Sequence, residues 1–229
     1  MTGQAPKTAA ELMAELEADD AWVRERDKRE RQRHSASEKN ALAAAPVLAA
    51  VVEATGVRAD SIAELRELAS PAVVTTLIEW LPRVTNLHVK RDMVSALSNE
   101  CARPSAAAPL LAAFESTTDD GLRWSIASAL SEVADESVTD RIVELVHDRT
   151  SGSARQMLAL ALGKSGDKSV APVLVALLGE YELAGHAVMA LVALQASEAV
   201  PEIEKLRSDD RAWVRNEVRR ALVDLGEER

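Results

Sequence analysis

A column of cations recurs through the second half of the chain and is the most regular set of side chains that could bind a ligand. Each member follows an apolar residue at the same place in a repeated pattern: Lys90, Arg123, Arg155 and Arg215. A row of positive groups can hold phosphates along a groove, or each can pair with an acid of the neighbouring repeat. We expect the inter-repeat ladder, because the column follows the repeat itself, and keep phosphate contacts as the alternative.

The tripeptide Gly163-Lys164-Ser165 has the letters that end a phosphate-binding loop. That loop needs a further glycine five residues before Gly163 and a strand upstream, whereas position 158 is Leu and the surrounding pattern is helical. We therefore predict that this glycine ends a helix and that the tripeptide binds no nucleotide.

Histidine and cysteine, which often bind transition metals, are few and widely spaced. No His-x-x-x-His or Cys-x-x-Cys motif connects the four histidines, which are His34, His88, His147 and His186. Cys101 stands beside Glu100, whose negative charge disfavours a reactive thiolate. No Ser-His-Asp or paired-carboxylate motif stands out. We predict no metal site, no cofactor and no catalytic residue, and favour a protein without enzymatic activity.

An Ala-Leu pair returns about every thirty residues and defines the elements that position these side chains. Its leucines are spaced by 33, 32, 29 and 31 residues, at Leu97, Leu130, Leu162, Leu191 and Leu222. The positions one, four and eight residues before each leucine are apolar in all five copies. This is one face of an α-helix, and a helical period near thirty indicates a solenoid.

A second helix follows each first one and is marked by proline, which fits the first helical turn. The prolines that open these helices are Pro109, Pro172 and Pro201, with Arg141 in the matching place of the repeat between. Apolar residues two and five positions further on complete a face that needs a neighbour. Each unit is therefore predicted to be a helix, a turn and a helix.

The segments Leu122-Arg123 to Leu130 and Val214-Arg215 to Leu222 resemble the HEAT repeat family, whose motif is an acid, a Val-Arg step and spaced apolar residues ending in Ala-Leu. The resemblance covers about residues 60–226 and is to the compact bacterial units related to phycobilin lyase subunits. It implies an all-α fold, an α-solenoid forming a right-handed superhelix of helical hairpins. The family's acid column falls on Asn86, Asp119, Ser151, Glu180 and Arg211 and is only partly acidic.

The segment before the repeats has a different pattern. We predict disorder in residues 1–7, an atypical helical N-terminal cap with a degenerate first unit in residues 8–84, and repeats with a C-terminal capping helix in residues 85–229 as one continuous body. Ser35 and Glu38 form a capping box that predicts a new helix near Ala36, kinked at Pro46 and ended by Gly56. The layout resembles that of uncharacterised bacterial HEAT-repeat proteins.

Composition restricts the possible environments and partners. The net charge of −10 argues against a general nucleic-acid binder. A single cysteine suggests a reducing compartment. The first residues lack the basic start and apolar stretch of a signal peptide, and no apolar run is long enough to span a membrane. We expect a cytoplasmic protein with no membrane partner.

The resemblance implies a scaffold that binds a protein or peptide partner through its concave face, built from the second helices. The predicted partner-binding residues are Glu144, His147, Val175, Leu178, Tyr181, Glu204 and Arg207. The helix around Val175 and Leu178 is apolar on all sides, so these residues and Tyr181 are expected to anchor the partner.

Two other functions stay open. One is a nucleic-acid binder or enzyme resembling the HEAT-like DNA glycosylases, which would use the cation column with Trp124 and Trp213, or the basic run Arg24 to Arg33. The other is an accessory subunit for cofactor attachment, which the likeness to phycobilin lyase subunits implies.

Overall fold

The computed structural model describes residues 7–226, apart from the side chains of Glu11 and Pro104, and these residues form helices and no strands. Contacts within the chain divide it into two compact units, residues 1–43 and 44–229. The predicted disorder of residues 1–7 lies, except for Lys7, outside the described residues. The predicted boundary between residues 84 and 85 stays a prediction. None of the described helices has a stretch long and apolar enough to cross a bilayer.

The first unit contains helix α1 (Ala9–Glu17) and the start of helix α2 (Asp20–Thr55). Asp19 caps α2, because its Oδ1 accepts hydrogen bonds from the backbone N–H groups of Ala21 and Trp22 at 2.8 and 3.3 Å. The helix then continues without interruption into the second unit.

The predicted helix start near Ala36 is wrong, because α2 passes through this position. Ser35 is exposed, and the charged and alanine-rich residues around it favour an unbroken helix. Pro46 lies inside the helix. Gly56 ends it as predicted, with a φ of 72° that glycine adopts without strain.

The second unit alternates first and second helices after helix α3 (Pro71–Trp80). The first helices are α4 (Leu87–Ala96), α6 (Asp120–Val133), α8 (Ala154–Ser165), α10 (Ala184–Ala193) and α12 (Ala212–Asp224). The second helices are α5 (Arg103–Ser116), α7 (Thr139–His147), α9 (Ala171–Leu177) and α11 (Val200–Glu204). Short 3₁₀ turns connect several of them. The predicted all-α solenoid of helical hairpins is confirmed.

The repeated apolar columns form the core of this unit. All fifteen positions one, four and eight residues before the repeated leucines are buried. Four of the five leucines are also buried, and the fifth, Leu222 in the last helix, is half-buried. Burial of this many aliphatic groups supplies the main stabilisation of the stacked hairpins.

Gly163 lies inside α8 and is buried, so the prediction that it ends the helix is wrong. A Cβ atom at this position would lie 2.7 Å from the Cα atom of Ala190. Glycine is therefore required here for the close approach of α8 and α10. The helix ends at Gly166, whose φ of 81° is left-handed.

Two of the four predicted starts of second helices need correction. Pro172 and Pro201 lie in the first turn of α9 and α11, as predicted. Helix α5 begins at Arg103, so Pro109 lies inside it, because the preceding alanines favour helix and Ala106 and Ala107 are buried.

In α7 the predicted alignment on Arg141 is displaced by one residue. The residues two and five positions after Arg141 are Val143 and Val146, and Val143 is only half-buried. Alignment on the preceding residue, Asp140, places the buried side chains of Ile142 and Leu145 at these two positions. Arg141 therefore faces solvent on the helix surface.

Candidate functional site

The loops that join each second helix to the next first helix carry most of the charged contacts between repeats, and we call them the ladder edge. They comprise residues 117–119, 148–153, 178–183 and 205–211. Arg155, in the first turn of α8, contacts this edge and is buried, with 8% of its surface exposed. Its Nε donates a hydrogen bond to the carbonyl oxygen of Val146 at 2.6 Å, and its Nη2 bonds both carboxylate oxygens of Glu180 at 2.9 and 2.8 Å. Arg155 therefore joins the end of α7 to the loop of the following unit through charge-assisted bonds.

Arg123 and Arg215, like Arg155, donate hydrogen bonds to backbone carbonyl groups. Arg123 donates from Nε to Thr117 O at 2.8 Å and from Nη1 to Thr150 O at 3.1 Å, in the next loop. Arg215 donates from Nη1 to the carbonyl oxygens of Asp209 and Asp210 at 2.6 and 2.8 Å. These guanidinium groups satisfy carbonyl groups of the loops that follow the second helices. Three of the four predicted cations are thus engaged within the chain.

The first step of the ladder uses Arg91, which the sequence analysis did not select. Its Nη2 lies 2.7 Å from Oδ1 of Asp119, an acid of the following unit. A hydrogen bond from the Leu122 N–H and a second from Arg91 lower the pKa of Asp119. The side chain of the neighbouring Lys90 makes no hydrogen bond or ion pair within residues 7–226. Asp119, in the acid column, indicated that a cation of the preceding unit would pair with it. That cation is Arg91, one residue after the position of the cation column.

The last step of the ladder is reversed. Ala184 stands where the other units have a cation, and Arg211 stands at the position of the acid. Arg211 pairs with Asp209 at 2.8 Å and donates to the carbonyl oxygen of Tyr181. The hydrogen bond from Arg211 lowers the pKa of Asp209 to about 2. The contact between the last two units is therefore made from the arginine of the later unit.

This reversal builds an aromatic cluster, which we define as Tyr181, His186, Arg211 and Trp213. The guanidinium carbon of Arg211 lies 3.7 Å from the centroid of the Tyr181 ring, a close cation–π contact. The rings of His186 and Trp213 meet edge to face, with centroids 5.4 Å apart. Burial lowers the pKa of His186.

Gly185 allows the Trp213 ring to lie against α10. A Cβ atom at Gly185 would come within 2.2 Å of Cη2 of Trp213. Tyr181 and Trp213 nevertheless remain 60% and 43% exposed. The cluster therefore presents two aromatic rings to solvent while Arg211 and the backbone hold them in place.

The second-helix surface, which we define as the exposed residues of α5, α7, α9 and α11 together with Arg207 just after α11, carries charged side chains on α7 and around the end of α11. Four of the predicted partner-binding residues on this surface are exposed, and they are Glu144, His147, Glu204 and Arg207. Ion pairs join Arg141 to Glu115 and Glu144, and Arg207 to Glu204. This surface neutralises much of its own charge.

The predicted apolar anchor on this surface is wrong for Leu178, which is buried with 7% of its surface exposed, and Val175 is half-buried. Leu178 caps the end of α9 and belongs to the core. In the described part of the second unit, the large apolar side chains that are exposed come from first helices and connecting segments. They are Leu68, Leu87, Trp124, Tyr181, Met189, Trp213 and Val223. Tyr181 is the only residue shared by this set and the predicted site.

The basic run Arg24 to Arg33 lies on α2 within the first unit, and its cations are exposed. Arg26 pairs with Asp27 at 2.8 Å and also lies 5.4 Å from the ring of Trp22. Lys28 and Arg29 are near Glu25, at 3.7 and 4.0 Å. The run is thus partly neutralised along the helix.

Residues able to hold a metal do not come together in the structure. Within residues 7–226, no group of three or more His, Cys, Asp or Glu side chains has the arrangement of a metal site. Cys101 is a half-buried free thiol.

Stacked helical hairpins linked by an arginine ladder define a helical-repeat protein of the solenoid class. Residues 109–184 match the family model described as HEAT repeats. The match includes Arg123, Arg155 and Tyr181, and it ends before Arg211 and Trp213.

A curated relative is similar to part of the chain. Bilin biosynthesis protein PecF from Mastigocladus laminosus is 31% identical over 107 residues, which cover 44% of this chain and 49% of the relative. The matched region thus spans about half the length of that protein.

Proposed function

We propose that this protein is a non-catalytic helical-repeat scaffold that binds a protein or peptide partner, and that the aromatic cluster anchors that partner. The proposal moves the anchor from the second-helix surface to the ladder edge. The predicted residues Glu144, His147, Glu204 and Arg207 remain in it as polar contacts at the periphery.

The observation that carries the proposal is the pair of exposed aromatic rings around Arg211. Trp, Tyr and Arg are the residue types that contribute most often to binding hot spots. Tyr181 is stacked on Arg211, and Trp213 rests on Gly185 beside His186. Because these contacts already fix the side chains, little conformational entropy is lost when a partner covers them.

The second-helix surface supports a different contribution. Its ion pairs must be rearranged or kept when a partner binds, and exposed pairs of this kind contribute little free energy. Such charges affect orientation and association rate more than affinity. We therefore expect substitutions there to weaken binding less than substitutions in the cluster.

Affinity capture from the native cell extract tests the proposal. Three baits carry Tyr181→Ala with Trp213→Ala, Glu144→Gln with Arg207→Gln, and Trp124→Ala as a matched control that removes an exposed tryptophan outside the cluster. We expect one protein to be recovered by wild type and by the control, and its recovery to fall about tenfold or more with the cluster variant. Thermal unfolding of each bait verifies that all are folded.

Equal recovery of every protein by the cluster variant and by the control would contradict the anchor. Loss of recovery with Glu144→Gln and Arg207→Gln alone would return the site to the second-helix surface.

A second candidate is an accessory subunit in cofactor attachment, and the likeness to Bilin biosynthesis protein PecF favours it. The test is the absorbance spectrum of a bilin mixed with the purified protein, compared with the same bilin in buffer. A shifted and strengthened long-wavelength band supports this candidate. An unchanged spectrum at excess protein argues against it.

A further inference from the structure

A pocket of about 320 Å³ lies between the 3₁₀ turn Ala63–Arg66 and the first helices α4 and α6. We call it the serine pocket, because hydroxyl groups of both helices line it, together with Arg66, Arg91 and Trp124. Its volume is within the range of small-molecule sites. It shares no residue with the aromatic cluster.

Two guanidinium groups give this pocket its capacity for anions. Arg66 is exposed and makes no ion pair or hydrogen bond through its side chain within residues 7–226. Arg91 bonds Asp119 through Nη2 only, and its Nε is buried without an acceptor. A buried donor without a partner is uncommon in folded proteins. Arginine presents its donors in a fork that matches phosphate and carboxylate groups.

The remaining lining groups suit a planar molecule. Trp124 is 44% exposed, and its indole offers a flat surface on one side of the pocket. The hydroxyl groups of Ser95, Ser98 and Ser128 make no hydrogen bond within the described chain, whereas that of Ser125 donates to Gly121 O. Free hydroxyl groups can donate to a ligand oxygen or accept from a ligand N–H.

One acid also lines the pocket. Asp92 lies 3.7 Å from His88 and is the only carboxylate among the lining residues, against two arginines. Because Arg91 is already paired with Asp119, Arg66 is the guanidinium group of the pocket that pairs with no carboxylate of the described residues, and it favours an anionic ligand.

We propose that the serine pocket binds a small planar molecule that carries a phosphate or carboxylate group. The ring stacks on Trp124, the anion is held by Arg66 and Arg91, and the free serine hydroxyls orient the remaining polar atoms. This binding is independent of the partner proposed for the aromatic cluster.

Titration followed by the NMR signals of the tryptophan indole N–H groups tests the proposal, with Trp124→Phe used to assign the signal. The probes are phenyl phosphate and benzoate, and the controls that lack one feature are phenol and inorganic phosphate. We expect saturable movement of the Trp124 signal with at least one of the two ring anions, at an affinity about tenfold above that of either control. The Trp213 signal stays in place.

Arg66→Gln is expected to weaken that binding about tenfold. Arg58→Gln, which removes another exposed arginine that lies outside the pocket, leaves it unchanged. A Trp124 signal that none of the probes moves at millimolar concentration would overturn the proposal. An equal loss of affinity in both arginine variants would do the same.

Discussion

Arginine side chains link consecutive units both in the regular steps of the ladder and in its last step, but they extend in opposite directions along the chain of units. Arg123 and Arg155 reach forward from one unit to the loop of the next, whereas Arg211 reaches back to Tyr181. In the regular steps the arginine contacts carbonyl and carboxylate groups within the fold. In the last step it also supports an exposed aromatic ring.

The difference indicates that side chains which recur in every unit serve the stacking of the units, whereas a unit that departs from the pattern can carry a binding function. The cation column follows the repeat because each unit needs its loop tied to the next. In the last step of the ladder neither the cation column nor the acid column is kept, and there Tyr181 and Trp213 are exposed to solvent. Substitutions in the two regions should therefore have separable effects on stability and on binding.

The largest expected effect compares the buried leucine of a regular unit with its counterpart in the last helix. Leu162→Ala should lower the free energy of unfolding by about 3 kcal/mol, because it leaves a cavity in the closely packed core. Leu222→Ala should cost about 1 kcal/mol, since Leu222 is half-buried and its surroundings can be hydrated. Urea unfolding of both variants measures the difference, and equal losses would show that the last helix packs as a regular unit.

A smaller effect compares the two kinds of arginine. Arg155→Met should lower the free energy of unfolding by about 2 kcal/mol, because it leaves the carbonyl of Val146 and the carboxylate of Glu180 without their donor. Arg211→Met should cost less stability and should weaken partner binding, since it removes the support of Tyr181. Chemical denaturation and partner affinity, measured on the same samples, separate the two outcomes. A larger stability loss for Arg211→Met would contradict the distinction.

The pH dependence of stability tests the ion pair between Asp209 and Arg211 at the last step of the ladder. The pKa of Asp209 falls from 3.8 to about 2 in the folded state because Arg211 donates hydrogen bonds to its carboxylate. A lowered carboxyl pKa stabilises the fold above the unfolded pKa, and this contribution disappears as the pH falls towards about 2. Asp209→Asn should therefore be less stable than wild type at pH 6, and the two should converge between pH 4 and pH 2. Parallel acid-unfolding curves would contradict the pairing.

The smallest expected effect concerns nucleic acids. Arg123 and Arg215 donate to backbone carbonyls, so Arg123→Gln with Arg215→Gln should leave the mobility of labelled DNA at low salt unchanged from that with wild type. If wild type retards DNA, replacement of Arg24, Arg31 and Arg33 by Gln should remove the shift, because these cations are exposed on α2. If the variant of Arg123 and Arg215 instead abolished the retardation, the result would support the alternative in which the cation column binds phosphate groups.

The helical fold could be predicted from the sequence because three apolar columns repeat in every unit. A period of 3.6 residues places them on one helix face, and the structure buries all of them. The start of α5 could not be predicted from Pro109, because this proline lies inside the helix and not in its first turn, and the alanines before it extend the helix. Leu178 appeared exposed because its helix is apolar on all sides, and periodicity does not identify the buried side of such a helix.

The aromatic cluster was only partly predictable. Tyr181 was selected for its residue type, but Arg211 is thirty residues away, and nothing local indicates that the two side chains stack. The available signal was the loss of the cation at position 184 together with an arginine at position 211 in the acid column. These two breaks compensate each other, and that relation requires the three-dimensional contact between consecutive loops.

Amide hydrogen exchange of the protein, free and in complex with the recovered partner, tests the central claim most directly. The account predicts slower exchange on binding in residues 179–186 and 209–214, with the regular loops at residues 117–119 and 148–153 unchanged. Protection confined to the second helices α5 and α7, with the aromatic cluster exchanging as in the free protein, would contradict it.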